Sequence, residues 1–74
     1  MSKNFLIVGI DYASIQAARL IFSDNRIKYV MGSDSEGRTY IFTEGVGLIK
    51  YKWILAKLET EISRGAQFEI IFMS

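Results

Sequence analysis

The chain has 74 residues, half of them hydrophobic and 14% aromatic, with nine Lys and Arg against eight Asp and Glu for a formal net charge of +1. A chain of this length holds one small core and buries only roughly 60% of the surface its unfolded form exposes; so apolar a composition excludes disorder, and the near balance of charge excludes both a dedicated duplex-DNA binder and an acidic DNA mimic. Cys, His and Pro are absent, which removes thiol nucleophiles, imidazole bases, disulfides and Cys/His zinc sites.

No apolar run approaches the ~18 residues of a membrane span. The expectation is therefore a single domain over residues 1–74, soluble and cytoplasmic.

The first element is a strand, Phe5-Leu6-Ile7-Val8-Gly9-Ile10, short, apolar and closed by Asp11. Asp11 has the character of a helix N-cap, because its carboxylate can accept from a backbone N–H two or three residues on. A helix follows from Tyr12 to about Ser23, with Ile15, Ala18, Ile21 and Phe22 on one face and Gln16, Arg19 and Ser23 on the other. Arg26 to Met31 alternates with period two, Gly32 to Gly37 reads as a turn, and Arg38 to Thr43 alternates again, so the two strands form a hairpin. A second helix runs from about Val46 to Arg64 on the stripe Leu48, Tyr51, Leu55, Leu58 and Ile62, stopped by Gly65. Gln67 to Met73 is the last strand.

The order β-α-β-β-α-β is the split βαβ or ferredoxin-like plan, an α+β fold with a four-stranded antiparallel sheet and two helices on one face. On this order, residues 5 to 73 resemble the RNA-recognition motif, a single-stranded-RNA module. Leu6-Ile7-Val8-Gly9-Ile10 resembles the family's first signature strand and Ala18-Arg19-Leu20-Ile21-Phe22-Ser23 its first helix. Arg26-Ile27-Lys28-Tyr29-Val30 resembles its second strand, and Gly37-Arg38-Thr39-Tyr40-Ile41-Phe42 its aromatic third strand. The resemblance implies Tyr40 and Phe42 as base-stacking residues and Arg38 as a phosphate contact. Ile7 stands where the family places a stacking aromatic, and Thr39 and Ile41 stand where it alternates small residues.

In the family's register Leu6, Val8, Ile10, Thr39 and Ile41 face the helices, and Phe5, Ile7, Tyr40 and Phe42 face outward. A one-residue slip would exchange the faces. The last strand places Phe68, Ile70 and Phe72 on one face, Ile71 and Met73 on the other, and lies at an edge in the family's strand order, where an apolar strand needs cover. On the second helix Ile49, Trp53, Ala56 and Thr60 lie opposite Leu55 and Leu58. Ile49, Lys50, Lys52 and Trp53 form a patch for a partner, unless Trp53 lies over the helix flank against its own domain; Lys50 and Lys52 near the helix start and Glu59 and Glu61 near its end oppose the macrodipole preference.

Arg26, Lys28 and Arg38 either line a phosphate path beside Tyr40 and Phe42 or act as solvated strand-edge charges. Asp34 and Glu36 form a solvated turn rather than a metal loop, since no further ligand spacing accompanies them. The G-x-G-x-x-G positions after Gly9 hold Asp11 and Ser14, and a carboxylate at a helix N-terminus repels phosphate. Tyr12-Ala13-Ser14-Ile15 stands where glutaredoxin-like proteins carry a redox Cys pair and has none.

With no nucleophile and base pair, the expectation is no enzyme, no cofactor and no metal. The leading expectation is a protein-binding module, an inhibitor or accessory factor that covers a partner's surface or dimerises, through Phe5, Ile7, Ile49, Lys50, Trp53, Phe68, Ile70 and Phe72. The alternative is single-stranded RNA or DNA on the sheet face, through Arg26, Lys28, Arg38, Tyr40 and Phe42.

Overall fold

The structure, a computed structural model, describes residues 2–72. Its elements are β1 (Ser2–Lys3), β2 (Leu6–Gly9), α1 (Tyr12–Asp24), β3 (Tyr29–Ser33), β4 (Thr39–Thr43), β5 (Val46–Gly47), α2 (Leu48–Ser63) and β6 (Phe68–Ile71). The fold is α+β, with two helices and antiparallel sheets. Strands β3-β4-β2-β6 form a four-stranded sheet in that order, and β1 with β5 forms a separate two-stranded one. The small sheet was not legible in the sequence, because two-residue strands carry no periodicity.

Local chemistry explains the element boundaries. Asp11 caps α1, accepting from the Ala13 backbone N–H at 3.1 Å and from the Ser14 hydroxyl at 2.8 Å. The Ser14 oxygen in turn accepts from the Gln67 N–H at 2.8 Å and so joins the start of α1 to the chain entering β6. Arg26 takes a left-handed φ of 57° after the helix, so β3 begins at Tyr29 and runs through Gly32 and Ser33 rather than starting at Arg26. The β3–β4 turn shortens to Asp34–Gly37, where Asp34 accepts from the backbone N–H groups of Glu36 and Arg38 at 2.9 and 2.8 Å. Gly65, at φ +105°, ends α2 in a conformation that L side chains avoid.

The core holds Ile15, Ala18 and Phe22 of α1, Tyr51, Ile54 and Leu58 of α2, and Phe5, Ile7, Ile41 and Phe68 from the sheet side. Both helices thus bury their stripes against one sheet face. The α2 stripe centres on Ile54, leaving Leu48 and Ile62 at the helix ends 40% and 38% exposed.

The orientation of β2 is the reverse of that expected. Ile7 pairs with Ile41 and Leu6 with Phe42, and cross-strand partners share a face. Since Ile41 is fully buried, Ile7 is too, and so is Phe5. Phe5 closes the gap between the helices, stacked on Tyr51 at 4.3 Å between centroids and tilted against Phe22 at 5.5 Å. Leu6 and Val8 occupy the open face, and Ile10, past the end of the strand, is exposed. A one-residue slip in an all-apolar strand is enough to produce this exchange.

β6 is an edge strand, as expected, but Phe68 is buried in the core and Ile70 is half-buried against it. The expected face of Met73 lies outside the described residues. Among the described residues no helix is long and apolar enough to cross a membrane.

Candidate functional site

Among the described residues, two apolar surfaces hold the candidate residues. The first is the outer side of α2. Its N-cap is Gly47, with no side-chain hydrogen bond and no acidic residue in the first turn. Burial of Tyr51, Ile54 and Leu58 turns Ile49 and Trp53 away from the core, and these are 90% and 66% exposed. Together with Leu48, Lys50, Gly47 and Asn25 they line an open cleft of about 650 Å³ at the start of the helix. Lys57 Nζ stands 5.2 Å from the centroid of the Trp53 ring, a cation–π approach from the next turn of the helix.

The second surface is the open face of the four-stranded sheet. One cross-strand row reads Val30–Phe42–Leu6–Ile71 and is apolar across all four strands. The next reads Gly32–Tyr40–Val8–Glu69. A Cβ at Gly32 would stand 2.5 Å from the Tyr40 hydroxyl and 2.8 Å from its ring carbon Cε2. The Tyr40 ring therefore lies across the β3 backbone, and only glycine leaves room for it.

The candidate residues divide accordingly. Ile49, Lys50 and Trp53 come together at the α2 cleft, and Tyr40 and Phe42 share the open sheet face. Phe72 is exposed just beyond β6, away from the Ile49 patch in chain position. Phe5, Ile7 and Phe68 are removed from any docking surface, because all three are buried in the core, and Ile70 faces the same core.

The basic residues do not form one path. Arg26 and Lys28 lie in the loop before β3, sharing a cleft with Glu44 and Lys50, whereas Arg38 lies at the other end of the hairpin, about 15 Å away along β4. Arg38 is held by its own turn: Nε donates to Asp34 Oδ2 at 2.8 Å, and Nη2 stands 3.2 Å from Glu36. The backbone N–H of Arg38, its guanidinium and the N–H of Glu36 hold the Asp34 carboxyl below its ordinary pKa.

Among the described residues no three acidic side chains gather where a metal ion could be held. The signal that sequence reading missed is Leu6, Val8 and Val30, which make the open face aliphatic. Gly9 was the available clue, since a glycine within a strand marks close backbone approach. A Cβ there would meet Ile15 Cδ1 of α1 at 3.2 Å as well as the adjacent β6 backbone, so Gly9 faces the helices and Ile7, two residues before it, shares that inner face. No protein-family model matches the chain, and no curated protein matches it in sequence.

Proposed function

We propose that this chain is a small, non-enzymatic protein-binding module that lays an apolar helix face against another protein chain. The observation that carries the reading is the exposure of Ile49 and Trp53 on one face of α2, beside a cleft that Leu48 extends. A Trp rimmed by polar groups over an apolar cleft is the residue type that dominates interface energetics. Lys50 and Lys57 flank it with charge that selects among partners more than it adds affinity. Such a chain acts as an inhibitor or accessory factor, by covering a surface. A ferredoxin-like plan for the fold is supported by the order β3-β4-β2-β6 and by the single core that both helices make with one sheet face.

A photo-crosslinking side chain placed at position 49 in living cells tests the docking role. It is expected to give a discrete adduct with a protein chain, which Trp53→Asp abolishes. No adduct, or one indifferent to position 53, refutes it.

One observation favours a second reading, single-stranded nucleic acid on the sheet in the manner of an RNA-recognition motif. Tyr40 and Phe42 lie on the open face one step apart, with the Tyr40 ring close against Gly32. This reading expects Tyr40→Ala and Phe42→Ala each to weaken oligonucleotide binding by about 1–3 kcal/mol. No binding at low salt eliminates it.

A further inference from the structure

The charges on α2 stand in an order that its own fold does not use. Lys50 and Lys52 lie in the first half of the helix and Glu59 and Glu61 near its end, with Lys57 between them, no acid in the first turn and no base in the last. A solitary helix is stabilised by the reverse order. Nor do these groups pair internally, because the ion pairs among the described residues are both made by Arg38.

At ~3.6 residues per turn, Ile49, Trp53, Ala56 and Thr60 form the stripe opposite the buried Tyr51, Ile54 and Leu58. Lys52 and Glu59 border this stripe on one flank; on the other Lys57 lies nearest, over the Trp53 ring, with Lys50 and Glu61 beyond it.

We propose that this face binds the same face of a second copy, the two α2 helices lying antiparallel about a twofold axis that passes between Leu55 and Ala56. The assignment rests on the docking role of Ile49 and Trp53 and adds the occupant. A twofold axis perpendicular to the plane of two antiparallel helices keeps each flank on its own side and reverses the order along it. One position of the axis then sets Lys50 against the second copy's Glu61 and Lys52 against its Glu59, and symmetry makes each pair twice.

The same position brings the apolar stripe together. Ala56 lies next to the crossing and allows the axes to approach to about 8 Å, the close end of the usual range. Trp53 then covers Ala56 and Thr60 of the second copy. A charge order unfavourable to the isolated helix is offset in the pair by the Lys52–Glu59 and Lys50–Glu61 contacts, while Lys57 remains over the Trp53 ring of its own helix.

The 16 residues of α2 span about 24 Å. A single helix-to-helix strip of that length buries less than the ~800 Å² per partner of a standard interface. The dimer is therefore weak, forming reversibly in the micromolar range or above, and salt weakens it further.

Sedimentation velocity of the full chain from micromolar to millimolar concentration, read beside the emission of Trp53, the one tryptophan, tests the assignment. Wild type is expected to dimerise with rising concentration and to shift its emission to the blue. K50E/K52E and E59K/E61K each set like charges face to face and are expected to remain monomeric while keeping wild-type circular dichroism. Mixed in equal amounts they are expected to dimerise again, because every cross-pair is then of opposite charge; the fourfold exchange K50E/K52E/E59K/E61K is expected to restore the homodimer. A wild type that stays monomeric at millimolar concentration, double variants that dimerise like wild type, or a mixture that does not recover overturns the proposal. If position 49 still crosslinks to a foreign chain while the wild type is monomeric, the second copy is refuted and the docking role stands.

Discussion

Replacing Thr43 by Val removes one hydroxyl from the centre of the protein and little else. Thr43 and Phe5 are both fully buried, and the Phe5 backbone N–H donates to Thr43 Oγ1 at 2.8 Å. The Thr43 N–H donates back to the Phe5 carbonyl at 3.0 Å, and the Thr43 carbonyl accepts from the Asn4 side chain at 3.0 Å. Valine keeps the shape and the preference for strand, but its methyl group accepts nothing. The Phe5 N–H is then orphaned away from water, at a cost of about 1–3 kcal/mol. A chain of this length has a total stability of roughly 4–11 kcal/mol, so the loss is a sizeable fraction. Each kcal/mol lowers Tm by about 4–8 °C in a domain of this size.

Thr43→Ser is the control, since it keeps the acceptor and deletes a methyl group for about 0.5–1.5 kcal/mol. Urea unfolding is expected to give the midpoint order wild type, Ser, Val, at an unchanged m-value. Hydrogen exchange at the Phe5 amide is expected to accelerate in the Val variant alone. A Val variant as stable as wild type, or more stable than Ser, refutes the reasoning.

Gly9→Ala is expected to cost about 1–3 kcal/mol in urea unfolding, because the new Cβ would meet the Gln67 carbonyl oxygen at 2.9 Å and the Phe68 Cα at 3.3 Å, backbone atoms that cannot rotate away. Arg26→Gly is expected to raise the thermal midpoint, since the left-handed φ of 57° strains an L side chain by about 1–2 kcal/mol and glycine offsets only part of that through its looser unfolded chain. The Asp34 carboxyl has its pKa lowered in the fold from 3.8. Its contribution is therefore present above that value and lost as pH falls through the folded pKa; Asp34→Asn is expected to flatten the acid limb of a stability–pH curve, and an unchanged limb would contradict this.

Regular apolar spacing made the helices and the second strand of the hairpin legible, but the alternation from Arg26 marked β3 three residues too early, because Arg26 turns left-handed. Tyr12 to Asp24 and Leu48 to Ser63 announce their helices by spacing, Asp11 and Gly65 mark two of their ends, and Thr39–Thr43 shows its buried Ile41 between half-exposed neighbours. The outward position of Ile49 and Trp53 was legible for the same reason, since the stripe containing Tyr51 and Leu58 leaves only one direction for them. The orientation of Phe5 to Ile10 was not legible. Every position but Gly9 is apolar there, so periodicity has nothing to report, and the register borrowed from a family resemblance placed the wrong half outside.

By itself, then, the sequence determined the α+β class, the principal helices and strands in their order, and the absence of Cys and His chemistry, because these follow from composition and from local spacing. Tertiary structure decided which face of β2 is core. Ile7 must share a face with its partner Ile41, and Phe5 must fill the space between two helices that meet only when the chain folds. It also decided that Phe68 belongs to the interior, that Leu6, Val8 and Val30 make the open face aliphatic, and that Arg38 is held by Asp34 at the far end of the hairpin from Lys28. Those outcomes depend on strand pairing between residues distant in sequence, and local patterning carries no information about a partner strand.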